Sequence, residues 1–147
     1  MAEPIPNEEA AFAKAVSFLT ATVRSEAQLR AYLTRRGAQP GWIDRAVERL
    51  REMGALRDEE VQASLQRRAQ RTGHGRRYLA GKLVQHGLEP DVAGFDELPV
   101  CEEVARRLLR QKPDLSREAL ARRLQGRGFS ADAIHKVLRL TSIDEAP

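Results

Sequence analysis

Apolar residues recur along the chain at intervals of three and four positions, the spacing of one buried stripe on an α-helix. The stripe is clear in a first segment through Phe12, Ala15, Val16, Leu19 and Val23. It is equally clear in a later segment through Ile43, Ala46, Val47, Leu50 and Met53. No run of β-branched and aromatic residues alternates with polar ones, as a half-buried strand would require. The pattern therefore predicts an all-α protein.

Capping residues and glycines predict where the helices begin and end. Ser25 followed by Gln28 is typical of a capping box at a helix start, and Ser116 is a second candidate N-cap. We expect Asp58 to cap a fourth helix, and the sequence Gly73-His74-Gly75 to separate that helix from a fifth.

One set of positions occurs three times in register. Each copy has a serine or glycine, two leucines and a terminal glycine at steps of four: Ser25, Leu29, Leu33 and Gly37; Gly75, Leu79, Leu83 and Gly87; Ser116, Leu120, Leu124 and Gly128. Six positions beyond these glycines lie three apolar residues, Ile43, Ala93 and Ile134. Any helical protein contains leucine pairs, but three copies in register indicate an internal repeat.

The repeat predicts three tandem three-helix (helix-turn-helix-like) modules, at residues 1–57, 58–98 and 99–147, with short tails at both ends. In the middle module, the segment from Pro90 through Phe95 to Leu98 would supply the third helix. Each module is too small to be stable on a core of its own, so neighbouring modules must pack together. We expect an elongated, curved and monomeric molecule.

Arginine dominates the charged residues and is distributed in blocks. The chain has 25 basic and 21 acidic residues, a net charge of +4, and only four lysines. Residues 64–86 contain six basic side chains and no acidic one, whereas residues 88–104 contain six acidic side chains and no basic one. A basic balance of this kind suits a polyanionic partner such as nucleic acid.

Two groups of basic side chains are candidates for sequence-independent binding of single- or double-stranded DNA, because the guanidinium fork matches phosphate oxygens. The first group lies on either side of the Gly73-His74-Gly75 break: Arg67, Arg68, Arg71, Arg76, Arg77 and Lys82. The second group could equally be a solvated helix surface: Arg106, Arg107, Arg110, Arg122, Arg123 and Arg127. Trp42 and Tyr78 could stack on bases, although packing is the favoured role for Trp42.

No motif typical of an enzyme, a metal site or a cofactor site occurs in the sequence. His74, His86 and His135 are scattered, without a cysteine or second histidine at ligand spacing. No glycine-rich phosphate loop is present. Cys101 is alone, so no intrachain disulfide is possible, and we expect it to be a small buried residue. We therefore expect no catalytic residue, no metal and no cofactor.

Several short motifs resemble those of the RecX family, in an order that covers about Phe12 to Leu140. They are Arg24-Ser25-Glu26 with the leucines that follow, Gly54-Ala55-Leu56-Arg57-Asp58, the glycines Gly73 and Gly75 before a Leu-Leu-Gly helix, and Arg127-Gly128-Phe129. The chain departs from the family at Arg57, where an aspartate is usual, and at Val61-Gln62, where an aromatic residue followed by alanine is usual.

The resemblance implies a non-enzymatic regulator of the bacterial recombinase RecA in the DNA-repair, recombination and SOS responses. Such a protein would lie along the groove of the RecA filament, touch DNA, and limit filament growth, ATP hydrolysis and strand exchange. A cytoplasmic location is expected, and no stretch approaches the length of a membrane span.

Two other interpretations remain open from the residues alone. A helix-turn-helix DNA-binding or transcription regulator would show sequence-specific binding to one duplex site. A helical-repeat adaptor that binds only protein would show no salt-sensitive binding to DNA.

Overall fold

The computed structural model describes residues 3–141, in which eight α-helices and no strand occur. The helices are α1 (Glu8–Ala21), α2 (Glu26–Arg35), α3 (Pro40–Glu52), α4 (Asp58–Thr72), α5 (Arg76–Gln85), α6 (Leu98–Gln111), α7 (Arg117–Gly126) and α8 (Ala131–Leu140). The all-α class is therefore confirmed for this part of the chain. By their packing, the residues form two units: the first takes the chain up to Ala63 together with Val84–Leu88, and the second takes Ser64–Leu83 together with the chain from Glu89 onward.

The core of the first unit is a bundle of α1, α2 and α3. Leu29 and Leu33, the repeat leucines of α2, are fully buried in it. The predicted capping box is present: the Ser25 hydroxyl accepts from the Gln28 backbone N–H at 3.2 Å, and the Gln28 side-chain oxygen Oε1 accepts from the Ser25 backbone N–H at 2.9 Å. The first three-helix module is thus confirmed.

The core of the second unit is a bundle of α6, α7 and α8. Leu120 and Leu124 are fully buried in it, as are Phe129 and Val137. Ser116 caps α7 by accepting the Ala119 N–H at 3.1 Å, as predicted from the sequence. A three-helix bundle is thus confirmed at this end of the chain, where the sequence predicts the third module.

A repeated glycine turn forms a joint in the first unit. Gly87 follows α5 with φ +72° and packs against the start of α2. A Cβ added to Gly87 would lie 2.5 Å from the Ala27 Cβ, and the Ser25 hydroxyl donates to the His86 carbonyl next to it. The turn can approach α2 this closely only because residue 87 has no side chain.

The equivalent joint occurs in the second unit. Gly128 follows α7 with φ +86° and packs against the start of α5. The Arg77 N–H donates to the Gly128 carbonyl at 2.9 Å, and the Gly75 N–H donates to the Arg127 carbonyl at 3.0 Å. A Cβ added to Gly128 would lie 2.6 Å from the Tyr78 nitrogen, so glycine is required here for the same reason. The terminal glycines of the second and third copies therefore each pack on the preceding copy.

The third helix predicted for the middle module is wrong, because no helix lies between α5 and α6. The Asp91 carboxylate accepts from the Ala93 N–H at 3.2 Å, a local turn that competes with helix formation. Ala93 is exposed instead of facing inward, and the segment is held by Phe95, which is fully buried. The module boundaries and the curved shape stay predictions, and residues 1–2 and 142–147 of the predicted tails lie outside the described residues.

Three residues at helix ends also differ from expectation. Val23 and Met53 are 50% and 62% exposed, because α1 ends at Ala21 and α3 at Glu52, before the predicted stripes are complete. Asp58 is the first residue of α4 and not its cap.

Carboxylates at the start of α4 and just before α6 cap earlier helices of the chain. Asp58 Oδ1 accepts from the Glu26 N–H, at the first residue of α2, at 2.9 Å. Glu97, only 5% exposed, repeats this contact by accepting from the Arg76 N–H, at the first residue of α5, at 3.0 Å. Glu97 also accepts from the Ser130 N–H at 3.2 Å and the Ser130 hydroxyl at 2.6 Å. One carboxylate therefore connects α5, α6 and α8.

Replacing Glu97 by alanine should lower the free energy of unfolding by about 3 kcal/mol, because three donors lose a charged acceptor in a buried place. Urea denaturation followed by circular dichroism measures the loss. The matched control is Glu89→Ala, at an exposed position of the same segment, with an expected change below about 0.5 kcal/mol. Equal effects of the two substitutions would show that the Glu97 contacts do not stabilise the unit.

Cys101 should not react with thiol reagents while the protein is folded. The side chain is fully buried, and burial, with the nearby charges of Glu97 and Glu102, raises the pKa of the thiol to about 12. At pH 8 the group is therefore protonated as well as inaccessible. Labelling with an aromatic disulfide should be slow in native buffer and complete in denaturant. Rapid native labelling would contradict the buried position.

Candidate nucleic-acid interface

Three of the predicted arginines project from the second half of α4. Arg67, Arg68 and Arg71 are exposed, whereas Ala69 between them is fully buried, so the helix turns its small residue inward and its charges outward. None of the three forms an ion pair with another residue in the described range 3–141. Like charges one turn apart repel each other. This α4 arginine face (Arg67, Arg68 and Arg71) therefore carries positive charge that no described carboxylate offsets.

The basic residues of α5 are divided between structural and exposed positions. Arg76 is half-buried, and its Nε donates to the Phe95 carbonyl at 2.7 Å. This hydrogen bond connects α5 to the segment without a helix that lies between α5 and α6. Arg77 is exposed. The Lys82 Nζ lies 5.4 Å from the centre of the Tyr78 ring, within range of a cation–π contact. Of these three, Arg77 is the side chain best placed for an external partner.

Arg127 is engaged at the end of α4. Its Nη1 donates to the carbonyls of Thr72 and Gly73, at 3.2 Å and 3.4 Å. A cation at this position satisfies carbonyl groups that the helix itself leaves without partners, and it complements the negative end of the helix dipole. The structure therefore gives Arg127 a role within the fold.

His74, between α4 and α5, lies next to two cations. Its ring stacks on Tyr78 with centroids 3.9 Å apart, and its Nδ1 lies 2.7 Å from the Thr72 hydroxyl oxygen. Burial, followed by the charges of Arg127 and Lys82, lowers the pKa of His74 below its ordinary value. The imidazole is therefore kept neutral at neutral pH, and the positive charge of this region comes from lysine and arginine.

The second predicted group also divides into paired and unpaired side chains. On α6, Arg106 pairs with Glu102 at 3.3 Å and with Glu103 at 3.5 Å, and Arg110 lies 3.8 Å from Glu103. Surface pairs of this kind contribute little to stability, but they reduce the field that reaches a partner. The remaining side chains of the group are exposed and form no ion pair within the part of the chain that is described: Arg107, Arg122 and Arg123.

A stack of aromatic rings and arginines in the first unit was not predicted from the sequence. The rings of Phe18 and Tyr32 are stacked with centroids 4.2 Å apart and planes 8° apart. The Arg24 guanidinium lies 4.7 Å from the Phe18 ring centre, and that of Arg36 lies 5.6 Å from the Tyr32 ring centre. Phe18 was not included in the predicted apolar stripe of α1. It lies three positions after the fully buried Ala15, and this helical spacing is the signal that could have identified it.

Trp42 packs against the core of its unit, which is the role that the sequence favoured. It is half-buried against the core of the first unit, so its ring contributes to the bundle of α1 to α3.

The described residues contain no group of three or more histidine, cysteine, aspartate or glutamate side chains placed to hold a metal ion. None of the helices within residues 3–141 is both long enough and apolar enough to cross a membrane.

Comparison with known proteins identifies relatives of the chain. A sequence profile described as the RecX first three-helix domain matches residues 11–50. Regulatory protein RecX of Leptothrix cholodnii is 32% identical over 137 residues, which cover 86% of each chain. Regulatory protein RecX of Mycobacterium ulcerans is 36% identical over 88 residues, or 59% of this chain and 51% of that protein.

A solved structure shows the same fold. The crystal structure of RecX from Lactobacillus salivarius superposes with a TM-score of 0.79, covering 95% of this chain and 97% of that one, at 16% sequence identity. The similarity in sequence over most of the chain shows that the chain belongs to the RecX family.

Proposed function

We propose that this protein is a non-enzymatic regulator of RecA that binds RecA–DNA filaments and limits filament growth, ATP hydrolysis and strand exchange. Membership of the RecX family supports the choice of partner. The α4 arginine face is the observation that supports accessory contact with DNA, because its three charges are exposed and have no described carboxylate beside them.

The exposed arginines would bind phosphates along an extended surface. Each contact to a phosphate releases a condensed counterion, so binding is independent of sequence and falls steeply with salt. Besides the α4 arginine face, the side chains that fit this role are Arg77, Arg107, Arg122 and Arg123. Several weak contacts on one chain add up through effective concentration.

The acidic segment before α6 would supply contacts of the opposite sign. Glu89, Asp91 and Asp96 are exposed, whereas Glu97 is buried and engaged within the fold. Exposed carboxylates suit basic loops on a protein partner, and complementary charge of this kind guides association. A protein bound in this way would occlude partner DNA or block subunit addition without an active site.

Reversing the α4 arginine face should weaken the inhibition of RecA. Substoichiometric amounts of the unmodified protein should lower ATP turnover by RecA on single-stranded DNA. The triple variant Arg67→Glu, Arg68→Glu and Arg71→Glu should need at least about tenfold more protein for the same effect, because three phosphate contacts become repulsive. A coupled ATPase assay measures this shift.

The matched control makes the same change of charge elsewhere, with Lys14→Glu, Arg45→Glu and Lys136→Glu. Arg45 and Lys136 are paired with Glu8 and Asp132, and exposed pairs contribute little to stability. Equal losses in the two triple variants would show that net charge, and not the α4 arginine face, controls binding. No effect of the unmodified protein on ATP turnover at any ratio would refute the proposed function.

Direct DNA binding separates the proposal from the two other interpretations. The proposal predicts binding that is independent of sequence, with a log–log salt slope that falls by about 0.7 for each single-strand phosphate contact removed. Preference for one duplex site would favour a transcription regulator, and the absence of salt-sensitive binding would favour a protein-only adaptor.

A further inference from the structure

A groove of about 520 Å³ lies beside α2 in the first unit, within the size range of sites for small planar ligands. The residues that line it include Phe18, Arg24, Gln28, Arg35, Val84 and Gln85. No aspartate or glutamate is among the residues that line the groove. It is therefore a concave, positively charged surface with both apolar and amide groups.

Arg24 lines the groove and has a buried side-chain donor without a hydrogen-bond partner. Its guanidinium lies over the Phe18 ring at 4.7 Å, which fixes the plane of the group. Its Nε is buried and has no hydrogen-bond partner, and among residues 3–141 no carboxylate pairs with it. The Arg24 guanidinium therefore has no described anionic partner, and an anionic ligand in the groove would meet no competing carboxylate.

At the other end of the aromatic stack, Arg36 also has a buried side-chain donor without a hydrogen-bond partner. Arg36 donates through Nη1 to the Tyr32 hydroxyl at 2.9 Å, while its Nε is buried and has no partner. The stack therefore presents a guanidinium at each end, and a guanidinium plane can stack on a nucleobase as an aromatic ring does.

Val84 adds an apolar surface to the wall of the groove. It is 58% exposed, although it lies on α5 one residue after the fully buried Leu83. The wall is held in place by the joint in which Gly87 packs on Ala27, so it does not depend on a mobile loop. A flat apolar ligand could lie against Val84, while the amide groups of Gln28 and Gln85 hydrogen-bond its polar edge.

We propose that this groove binds single-stranded DNA, with a nucleobase between Arg24 and Val84 and a backbone phosphate on Arg35. The base faces of a duplex are hidden in its own stack, so only a single strand can use the planar and apolar walls. The absence of carboxylates favours a polyanion over a basic peptide. The assignment rests on the proposed function and specifies which form of DNA the first unit takes.

The groove should be tested with the full chain and a fluorescein-labelled oligothymidylate in an anisotropy titration. Arg24→Ala should weaken binding by about tenfold, which corresponds to the loss of one base stack. The control Arg45→Ala removes a charge of the same unit that lies outside the groove, and should change binding by less than about threefold.

Two further probes separate base stacking from charge. With an abasic oligonucleotide of equal length, and with a duplex, Arg24→Ala and Arg45→Ala should have similar effects, because neither probe offers a free base. Photocrosslinking of the unmodified protein to an iodouracil-substituted strand should give adducts on residues that line the groove, such as Phe18, and this test requires no variant to fold.

Three outcomes would overturn the assignment. If the oligothymidylate binds in a salt-sensitive way but Arg24→Ala equals Arg45→Ala, the groove is not the site, while DNA binding by the exposed arginines still holds. Adducts found only on α4 or α7 lead to the same conclusion. If no strand binds at all, both the groove and the DNA contacts of the proposed function fail.

Discussion

The Glu97 carboxylate accepts hydrogen bonds from the first N–H of α5 and from both donors of Ser130, and the second unit depends on this arrangement. Helices of ten residues, such as α5 and α8, are too short to be stable alone. Their first N–H groups need acceptors, and a buried charged acceptor makes the strongest of these bonds. Asp58 repeats the device at α2 in the first unit, so the first predicted module is completed by a residue of the next one. That module, cut out of the chain, would lose this cap.

Local chemistry in the sequence was sufficient to predict most helix boundaries. The Ser25 capping box, the Ser116 cap and the left-handed Gly37, Gly87 and Gly128 act within one turn of the residues that contain the signal. The segment from Pro90 to Glu97 could not be predicted in this way. Its conformation is set by the Asp91 turn and by the burial of Phe95, which is a long-range contact. The carboxylate caps were missed for the same reason, since their partners lie 32 and 21 positions away.

The charge blocks were visible in the sequence, but the roles of individual arginines were not. Arg76 and Arg127 lie in basic blocks and yet hydrogen-bond to backbone carbonyls of the fold, while Arg106 is neutralised by acids on its own helix. Composition counts charges, whereas binding depends on which of them remain exposed and unpaired. Conversely, the stack of Phe18 and Tyr32 joins α1 to α2, and no spacing rule within one helix could place those rings together.

The three copies of the sequence repeat and the two packing units have different boundaries in this protein. The repeat predicts modules of three helices each. Nevertheless, residues 84–88, at the end of α5 and just after it, belong to the first unit, while the rest of that helix belongs to the second. The chain therefore passes from one unit to the other three times, and no single cleavage point separates them into two intact fragments. Of the three predicted modules, only the middle one, residues 58–98, is shared between the two packing units. A module inserted there would have been obliged to fold together with the segments on both sides of it from the outset.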